Sequence, residues 1–146
     1  KFHLSSALKL KPTEVALARL AKMHEPTYLH QTMGRAKDGS IVRFKDIPLA
    51  MAAIDQLRAL EELRVHFHVP VNADRLSDEL STTNDHLRAA LDVIAKAPGA
   101  CRELEIETYT WEVLPPEVRA ADVADMIAEE YRWTLAELAQ RGVKPL

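Results

Sequence analysis

The sequence lacks several features that would point directly to a class of protein. Cys101 is the only cysteine, so no disulfide can form within the chain, and a reducing, cytoplasmic setting is expected. The formal net charge is only −3, which leaves no basic surface of the kind that binds nucleic acid. No apolar run approaches the length of a membrane span. We therefore expect neither nucleic-acid partners nor direct membrane insertion.

Motifs of common nucleotide and metal sites are also missing. The sequence has no phosphate-binding loop, no Rossmann fingerprint and no zinc-finger spacing, and Ser5-Ser6 lacks the glycines of a nucleophile elbow. What is present is an ordinary globular composition, with 47% hydrophobic and 28% charged residues in 146. This length is enough for one domain with a substantial core, and we expect residues 1–146 to form a single domain.

The order of elements predicted from periodicity is strand, helix, hairpin, helix, strand, helix, strand, helix. Alternating polar and apolar residues predict strands over 1–8, 63–70 and 103–111. Amphipathic patterns bounded by caps and prolines predict helices over 12–26, 46–60, 83–98 and 115–142. Asp38-Gly39, between two extended runs within 28–44, predicts a tight hairpin turn.

Strands separated by helices imply parallel pairing, which leads to an α/β fold of the barrel type. Three such strands do not close a barrel, since an eight-stranded barrel typically needs about 250 residues. We expect a partial TIM barrel, the C-terminal β/α units of a larger one, with an inserted β-hairpin. The opening residues already fit a strand, in agreement with this. Open edges on the terminal strands would then predict self-association.

Each predicted strand has one apolar face and one face with ionisable groups, because side chains two residues apart point the same way. The ionisable side chains on these faces are His3, His66, His68, Glu105 and Glu107. Strands of ordinary parallel sheets are apolar on both faces, whereas a barrel can hold a polar site at its strand ends. An antiparallel sheet with a solvated face is the alternative.

Imidazole and carboxylate groups together suit a divalent ion such as zinc, manganese or iron. Tyr109 and Trp111, at the end of the last strand, could stack on a ligand, although core packing explains them equally well. His24 and His86 fall on predicted helices and are interpreted as surface residues. Cys101 has no evident base partner and is interpreted as structural.

Several segments resemble the C-terminal half of EboE-like "metabolite traffic" proteins. The most specific segments are His66-Phe67-His68-Val69-Pro70 and Glu107-Thr108-Tyr109-Thr110-Trp111. Residues 1–8 and 28–31 also resemble this family. The resemblance covers most of the chain. It implies a xylose-isomerase-like TIM barrel, the superfamily that also contains sugar epimerases, with a metal-capable site at the C-terminal mouth.

The resemblance also implies roles for particular residues. A late strand of the superfamily supplies a His ligand, matched here by His68 or His66, and the final strand supplies a Glu ligand, matched by Glu107 with Glu105 as the alternative. His3 lies on another mouth strand and would contact substrate together with Tyr109 and Trp111. The superfamily's Asp and second Glu ligands lie on earlier strands, so the site in this chain is expected to be incomplete.

Three functions of different classes follow from the sequence. The first is a metal-dependent isomerase or epimerase acting on a small polar, sugar-like metabolite, with Glu107 and His68 as catalytic residues. The second is a non-catalytic module that binds or carries such a metabolite. The third is a structural α/β domain whose histidines are hydrogen-bonded core residues.

Overall fold

The structure is a computed structural model that describes residues 1–97, 99–108 and 122–144. Helices and strands alternate in a mixed α/β arrangement, which agrees with the α/β class predicted from the sequence. The chain divides into two compact units. The first contains Lys1–Ser6, His68–Asp74 and Thr83–Leu146, and the second contains Ala7–Phe67 and Arg75–Thr82. None of the described helices is both long and apolar enough to cross a membrane.

A five-stranded sheet organises the second unit. Its strands, in chain order, are β2 (Ser6–Leu10), β3 (Thr32–Arg35), β4 (Ile41–Phe44), β5 (Glu62–Val69) and β6 (Ser81–Thr82). Their order across the sheet is β4-β3-β5-β2-β6. Strand β3 pairs antiparallel with both β4 and β5, and β2 pairs antiparallel with β6. The described residues therefore contain no closed barrel, and the sheet is not the all-parallel one expected of barrel units.

The predicted hairpin is confirmed as the β3–β4 pair, with Thr32 opposite Phe44 and Arg35 opposite Ile41. Gly39 in its turn has a φ of 84°, a conformation that residues with a Cβ rarely adopt. The Asp38 carboxylate accepts a hydrogen bond from the Ser40 N–H at 2.9 Å, which closes the turn. The other edge of β3 pairs with β5, so the inserted hairpin supplies two antiparallel pairings of the sheet, besides the antiparallel pair of β2 and β6.

Three helices complete the second unit, namely α1 (Glu14–Ala21), α2 (Ile47–Ala52) and α3 (Ile54–Arg58). Thr13 caps α1 by accepting from the Ala16 N–H, and Asp46 caps α2 by accepting from the Ile47 N–H. The single helix predicted over 46–60 is wrong, because Ala53 leaves the helical conformation and separates α2 from α3. The core beneath these helices consists of fully buried apolar side chains. These are Leu8, Leu10, Leu17, Leu20, Ile47, Leu57, Leu63, Val65 and Phe67.

The first unit contains two short strands and two long helices, namely β1 (Phe2–Leu4), β7 (Leu104–Ile106), α4 (Asn84–Lys96) and α5 (Val123–Gln140). β1 and β7 pair in parallel, as predicted for strands separated by helices. The continuous first strand predicted over 1–8 is wrong, because the ladder with β7 ends at Leu4, whose carbonyl accepts from the Glu107 N–H. Ser5 then separates β1 from β2.

An apolar cluster made of Leu4, Val71, Leu87, Leu91 and Leu138 holds the first unit together. Helices α4 and α5 are also joined by ion pairs that run from Arg88 to Glu137 and from Arg141 to Asp92. As predicted, the last helix ends just before Gly142. Its predicted start at Pro115-Pro116 lies outside the described residues, and Asp122 is the cap of the part that is described.

Candidate functional site

The parallel pair β1–β7 brings three of the predicted site residues together. His3 lies opposite Glu105 in the register, with its Nε2 atom 3.7 Å from a Glu105 carboxylate oxygen. Its Nδ1 atom lies 3.1 Å from a carboxylate oxygen of Glu107. Lys1 also pairs with Glu105, and this hydrogen bond and charge lower the pKa of the Glu105 carboxyl. One exposed imidazole thus stands between two carboxylates, each reached by a different ring nitrogen.

His68 is the buried member of the predicted site, with only 7% of its surface exposed. Its Nδ1 atom lies 2.7 Å from the main-chain oxygen of Glu107 and 2.9 Å from the Ser5 hydroxyl. Because a carbonyl oxygen can only accept, Nδ1 carries the hydrogen and Nε2 is the basic nitrogen of the neutral ring. A histidine oriented in this way through a carbonyl is suited to act as a base or as a metal ligand.

One other predicted site residue is not part of this arrangement. His66 belongs to the second unit, where it is exposed and its Nδ1 lies 3.2 Å from the side-chain oxygen of Gln31. Tyr109 and Trp111 lie outside the described residues. Within the described ranges, no three of the predicted ligands His66, His68, Glu105 and Glu107 offer ligand atoms close enough to surround one ion.

A buried carboxylate in the first unit was missed by the sequence reasoning. Glu130 on α5 is only 1% exposed, and its Oε1 atom accepts from the Val71 N–H and the Thr108 hydroxyl, each at 2.7 Å. Its Oε2 atom is buried without a hydrogen-bond partner. Burial raises the pKa of this carboxyl, and the two hydrogen bonds oppose the shift only in part. A signal was available in the sequence, because Glu130 lies four residues after Met126, and residues at this spacing share one face of a helix.

The second unit contains a group of ligand-type side chains that was also missed. His24, His30 and Asp46 each offer one ligand atom, and these atoms all lie within 4.8 Å of one another. His30 is 2% exposed and its ring stacks on Phe67, with centroids 5.0 Å apart. Burial lowers the pKa of His30, although the nearby Glu25 and Asp46 carboxylates oppose the shift. Burial opposes ionisation of Asp46, but backbone N–H groups of His30 and Ile47 outweigh it and lower the pKa.

These three residues come from different local structures. His24 follows α1 in a loop rather than lying on a helix as predicted, although it is exposed as expected. His30 precedes β3, and Asp46 is the cap of α2. The sequence reasoning recognised Asp46 only as a cap and gave His30 no role. The prediction that His86 is a surface residue is confirmed, since it is exposed on α4.

Comparison with known proteins found no match for this chain among family descriptions, curated proteins or solved structures. The geometry of the described residues therefore carries the functional argument.

Proposed function

We propose that this chain is the C-terminal part of an EboE-like, xylose-isomerase-like TIM-barrel protein that acts on a small polar, sugar-like metabolite as an isomerase or epimerase. The observation that carries the proposal is the convergence of ionisable groups in the first unit. His3 contacts Glu105 and Glu107, and His68 donates to the main chain of Glu107. Such a cluster of acid and base groups at the end of a parallel strand pair is where barrel enzymes hold their substrates.

His68 and Glu107 are the proposed catalytic residues. With its hydrogen on Nδ1, His68 has a basic Nε2 atom that can take a proton from a carbon or hydroxyl of the substrate. The carboxylate of Glu107, paired with His3 at 3.1 Å, can accept or return a proton in the same exchange. His3 is then a substrate-binding residue, and Tyr109 and Trp111 remain proposed as its partners in this role.

A divalent ion of zinc, manganese or iron is part of the proposal, because the resemblance implies one. His68 fits a ligand role, since its Nδ1–H is already held by a carbonyl oxygen, and the Glu107 carboxylate fits as a second ligand. His66 and Glu105 are the alternative ligands. Two ligands do not hold an ion, so further ligands would come from outside the described residues. When bound, the ion would polarise a carbonyl or hydroxyl of the substrate.

A non-catalytic metabolite-binding module is the second candidate, and a specific observation favours it. His3 reaches Glu105 and Glu107 with different ring nitrogens, so these three side chains do not present a common set of ligand atoms. The same groups can nevertheless bind the hydroxyls of a polar metabolite, because the carboxylates accept hydrogen bonds and the imidazole can donate or accept them.

The experiment that separates the candidates is elemental analysis of the purified protein beside His68→Ala and Glu107→Ala, followed by an isomerase and epimerase screen with common sugars. The exposed His86→Ala on α4 is the matched control. Metal and turnover lost in both site variants and kept in the control would support the enzyme. Loss of sugar binding without any metal in the native protein would support the carrier. Equal metal content and activity in all four proteins would contradict both.

The cellular setting is proposed as cytoplasmic, and the single Cys101 is the observation in favour of it. A small metabolite is the only partner proposed, without nucleic acid and without direct membrane insertion, apart from self-association of the chain. Sedimentation of the 146-residue chain tests the last point, and a monomer at all concentrations would count against it.

A further inference from the structure

The second unit has a side-chain cluster that the proposed function does not use. We propose that His24, His30 and Asp46 form a binding site for one divalent transition-metal ion, with Zn²⁺ as the best match to their donors. Two imidazoles and one carboxylate are a common zinc donor set, and three protein ligands leave a fourth position open for water or a small ligand. This site is independent of the acid–base cluster at β1 and β7.

The spacing of the ligand atoms fits an ion better than it fits direct contact. The Nδ1 atom of His30 lies 3.8 Å from the Oδ1 atom of Asp46, which is too long for a hydrogen bond. Two atoms that each lie about 2.0 Å from a tetrahedral zinc ion are about 3.3 Å apart. A contraction of about half an ångström would therefore place both atoms on one ion. The ligand atom of His24 lies within 4.8 Å of the other two.

The buried nitrogen of His30 is a second, independent observation. Its Nδ1 atom is fully buried and has no hydrogen-bond partner, although the ring is 98% covered by protein. Buried polar atoms in native proteins nearly always have a hydrogen-bond partner, so a buried nitrogen without one requires an explanation. A metal ion bound to Nδ1 supplies the missing partner, and the same atom is the one that faces Asp46.

The surroundings hold the proposed ligands in place. The ring of His30 stacks on Phe67, and the Oδ1 atom of Asp46 accepts from the main-chain N–H of His30 at 3.0 Å and of Ile47 at 2.8 Å. On the far side of the ring, the Nε2 atom of His30 lies 3.8 Å from a Glu25 oxygen. This distance is too long for a hydrogen bond, so the Glu25 carboxylate adds negative charge beside the cluster without fixing the tautomer of the ring.

Glu25 is itself fixed at this distance. Its two carboxylate oxygens accept hydrogen bonds from the main-chain N–H groups of Thr27 and Tyr28, at 2.8 and 2.7 Å. The loop that contains Glu25 also contains His24, so the same turn orients an outer carboxylate and one of the ligands. Only His24 is exposed, so the ion would enter from its side of the cluster.

The test is a titration of the metal-free full chain with Co²⁺, followed by displacement with Zn²⁺. Cobalt in a tetrahedral site of nitrogen and oxygen ligands gives a visible absorption band, which reports binding without any assay of activity. We expect one equivalent of Co²⁺ to bind and an excess of Zn²⁺ to remove the band. Zn²⁺ should also raise the melting temperature of the chain, because the three ligand atoms are brought together only in the folded state.

Two variants test the ligands without disturbing the core. His24→Ala removes an exposed ring, and Asp46→Asn keeps a side-chain oxygen to cap α2 while removing the carboxylate charge. We expect each to weaken Co²⁺ binding at least about tenfold, the lower end of the effect of altering even an outer-shell group. His30→Ala is not used, because it would leave a cavity beside Phe67. His86→Ala, on the exposed face of α4, should bind as the native chain does.

Three results would overturn the proposal. The first is a native chain that gives no saturable band. The second is an unchanged affinity in both His24→Ala and Asp46→Asn. The third is a band lost in His68→Ala and retained in His24→Ala, which would assign the ion to the cluster at β1 and β7 instead. Failure of the isomerase proposal leaves this inference intact, since the two sites share no residue.

Discussion

The Nδ1 atom of His68 lies 2.7 Å from the main-chain oxygen of Glu107, so the histidine of one predicted site strand binds the backbone at the end of another. The Ser5 hydroxyl lies 2.9 Å from the same nitrogen and can share its hydrogen. The contact fixes the orientation of the imidazole. It also makes His68 a structural residue as well as a proposed catalytic one. A mutational test therefore has to separate loss of stability from loss of activity.

Replacing His68 by alanine is expected to lower the free energy of unfolding by about 1–3 kcal/mol, because the Glu107 carbonyl loses its donor in a partly buried place. Urea denaturation followed by circular dichroism measures the change. His66→Ala is the matched control two residues earlier, and its exposed ring should change stability by less than about 0.5 kcal/mol. Equal losses in the two variants would show that the His68 contact does not stabilise the fold.

The buried Glu130 gives a second prediction. Glu130→Ala should lower the free energy of unfolding by about 2–3 kcal/mol, because the Val71 N–H and the Thr108 hydroxyl lose a buried acceptor. Glu130→Gln keeps an oxygen for both donors and should cost much less at pH 7. Chemical denaturation of the three proteins checks this order. An alanine variant as stable as the glutamine variant would contradict the role of these hydrogen bonds.

The pH dependence of this carboxyl has a definite sign. Because burial raises the pKa of Glu130 in the folded state above its unfolded value near 4.5, the folded protein binds more protons in the interval between the two values. Stability contributed by Glu130 is therefore present below pH 4.5 and is lost as the pH rises through the folded pKa. Relative to Glu130→Gln, the native chain should become less stable across that interval, and a difference that grows in the opposite direction would contradict the pKa shift.

Local signals in the sequence were enough for many elements of the fold. Asp38-Gly39 predicted the hairpin correctly, because few residue types adopt the positive φ that a tight hairpin turn requires. The strand predicted over 63–70 corresponds closely to Glu62–Val69, and β1 and β7 pair in the parallel direction predicted for strands separated by helices. That these two strands pair with each other was not predicted, since open edges were expected on the terminal strands. The partner of the hairpin could not be predicted, since pairing of β3 with β5 depends on long-range packing rather than on either strand alone.

The candidate sites were predictable only in part, for a similar reason. His3, Glu105 and Glu107 could be placed together because the alternation of a strand determines which side chains share a face. Alternation does not determine depth, so it could not separate the exposed His66 from the buried His68. The cluster of His24, His30 and Asp46 follows no helix or strand periodicity in the sequence. One residue lies in a loop, one precedes β3 and one caps α2, so only the tertiary fold brings them together.

Arg88 on α4 gives a third prediction, because it joins the two helices of the first unit. Its guanidinium lies 3.0 Å from Glu137 and 2.7 Å from Asp74, and it also lies over the ring of Trp133 at 5.3 Å. Arg88→Ala should lower the free energy of unfolding by about 1–2 kcal/mol, since the mostly buried Glu137 loses one of its two charged donors and keeps Arg141 at 2.7 Å.

The control for this variant is Arg132→Ala, whose ion pair with Glu129 lies on the exposed surface of α5. Exposed pairs of this kind contribute less than about 0.5 kcal/mol. Thermal denaturation at low and high salt distinguishes the two positions, because screening weakens exposed pairs most. If Arg132→Ala proved as damaging as Arg88→Ala, burial of the Glu137 pair would not be the source of its strength.

Gly34 in β3 gives the last prediction, which concerns packing rather than charge. A Cβ added at this position would lie 2.2 Å from a methyl carbon of Leu60 and 3.0 Å from one of Leu63. Both leucines are buried, so the close packing around them limits how far either methyl group can shift. Gly34→Ala should therefore lower the free energy of unfolding by about 1–3 kcal/mol, as overpacking of cores usually does.

The control in urea denaturation is Met33→Ala, at the adjacent exposed position of the same strand, and its free energy of unfolding should change little. A Gly34→Ala protein as stable as the native chain would mean that Leu60 can rotate away, and that the tight approach of β3 to this part of the core is not required for folding.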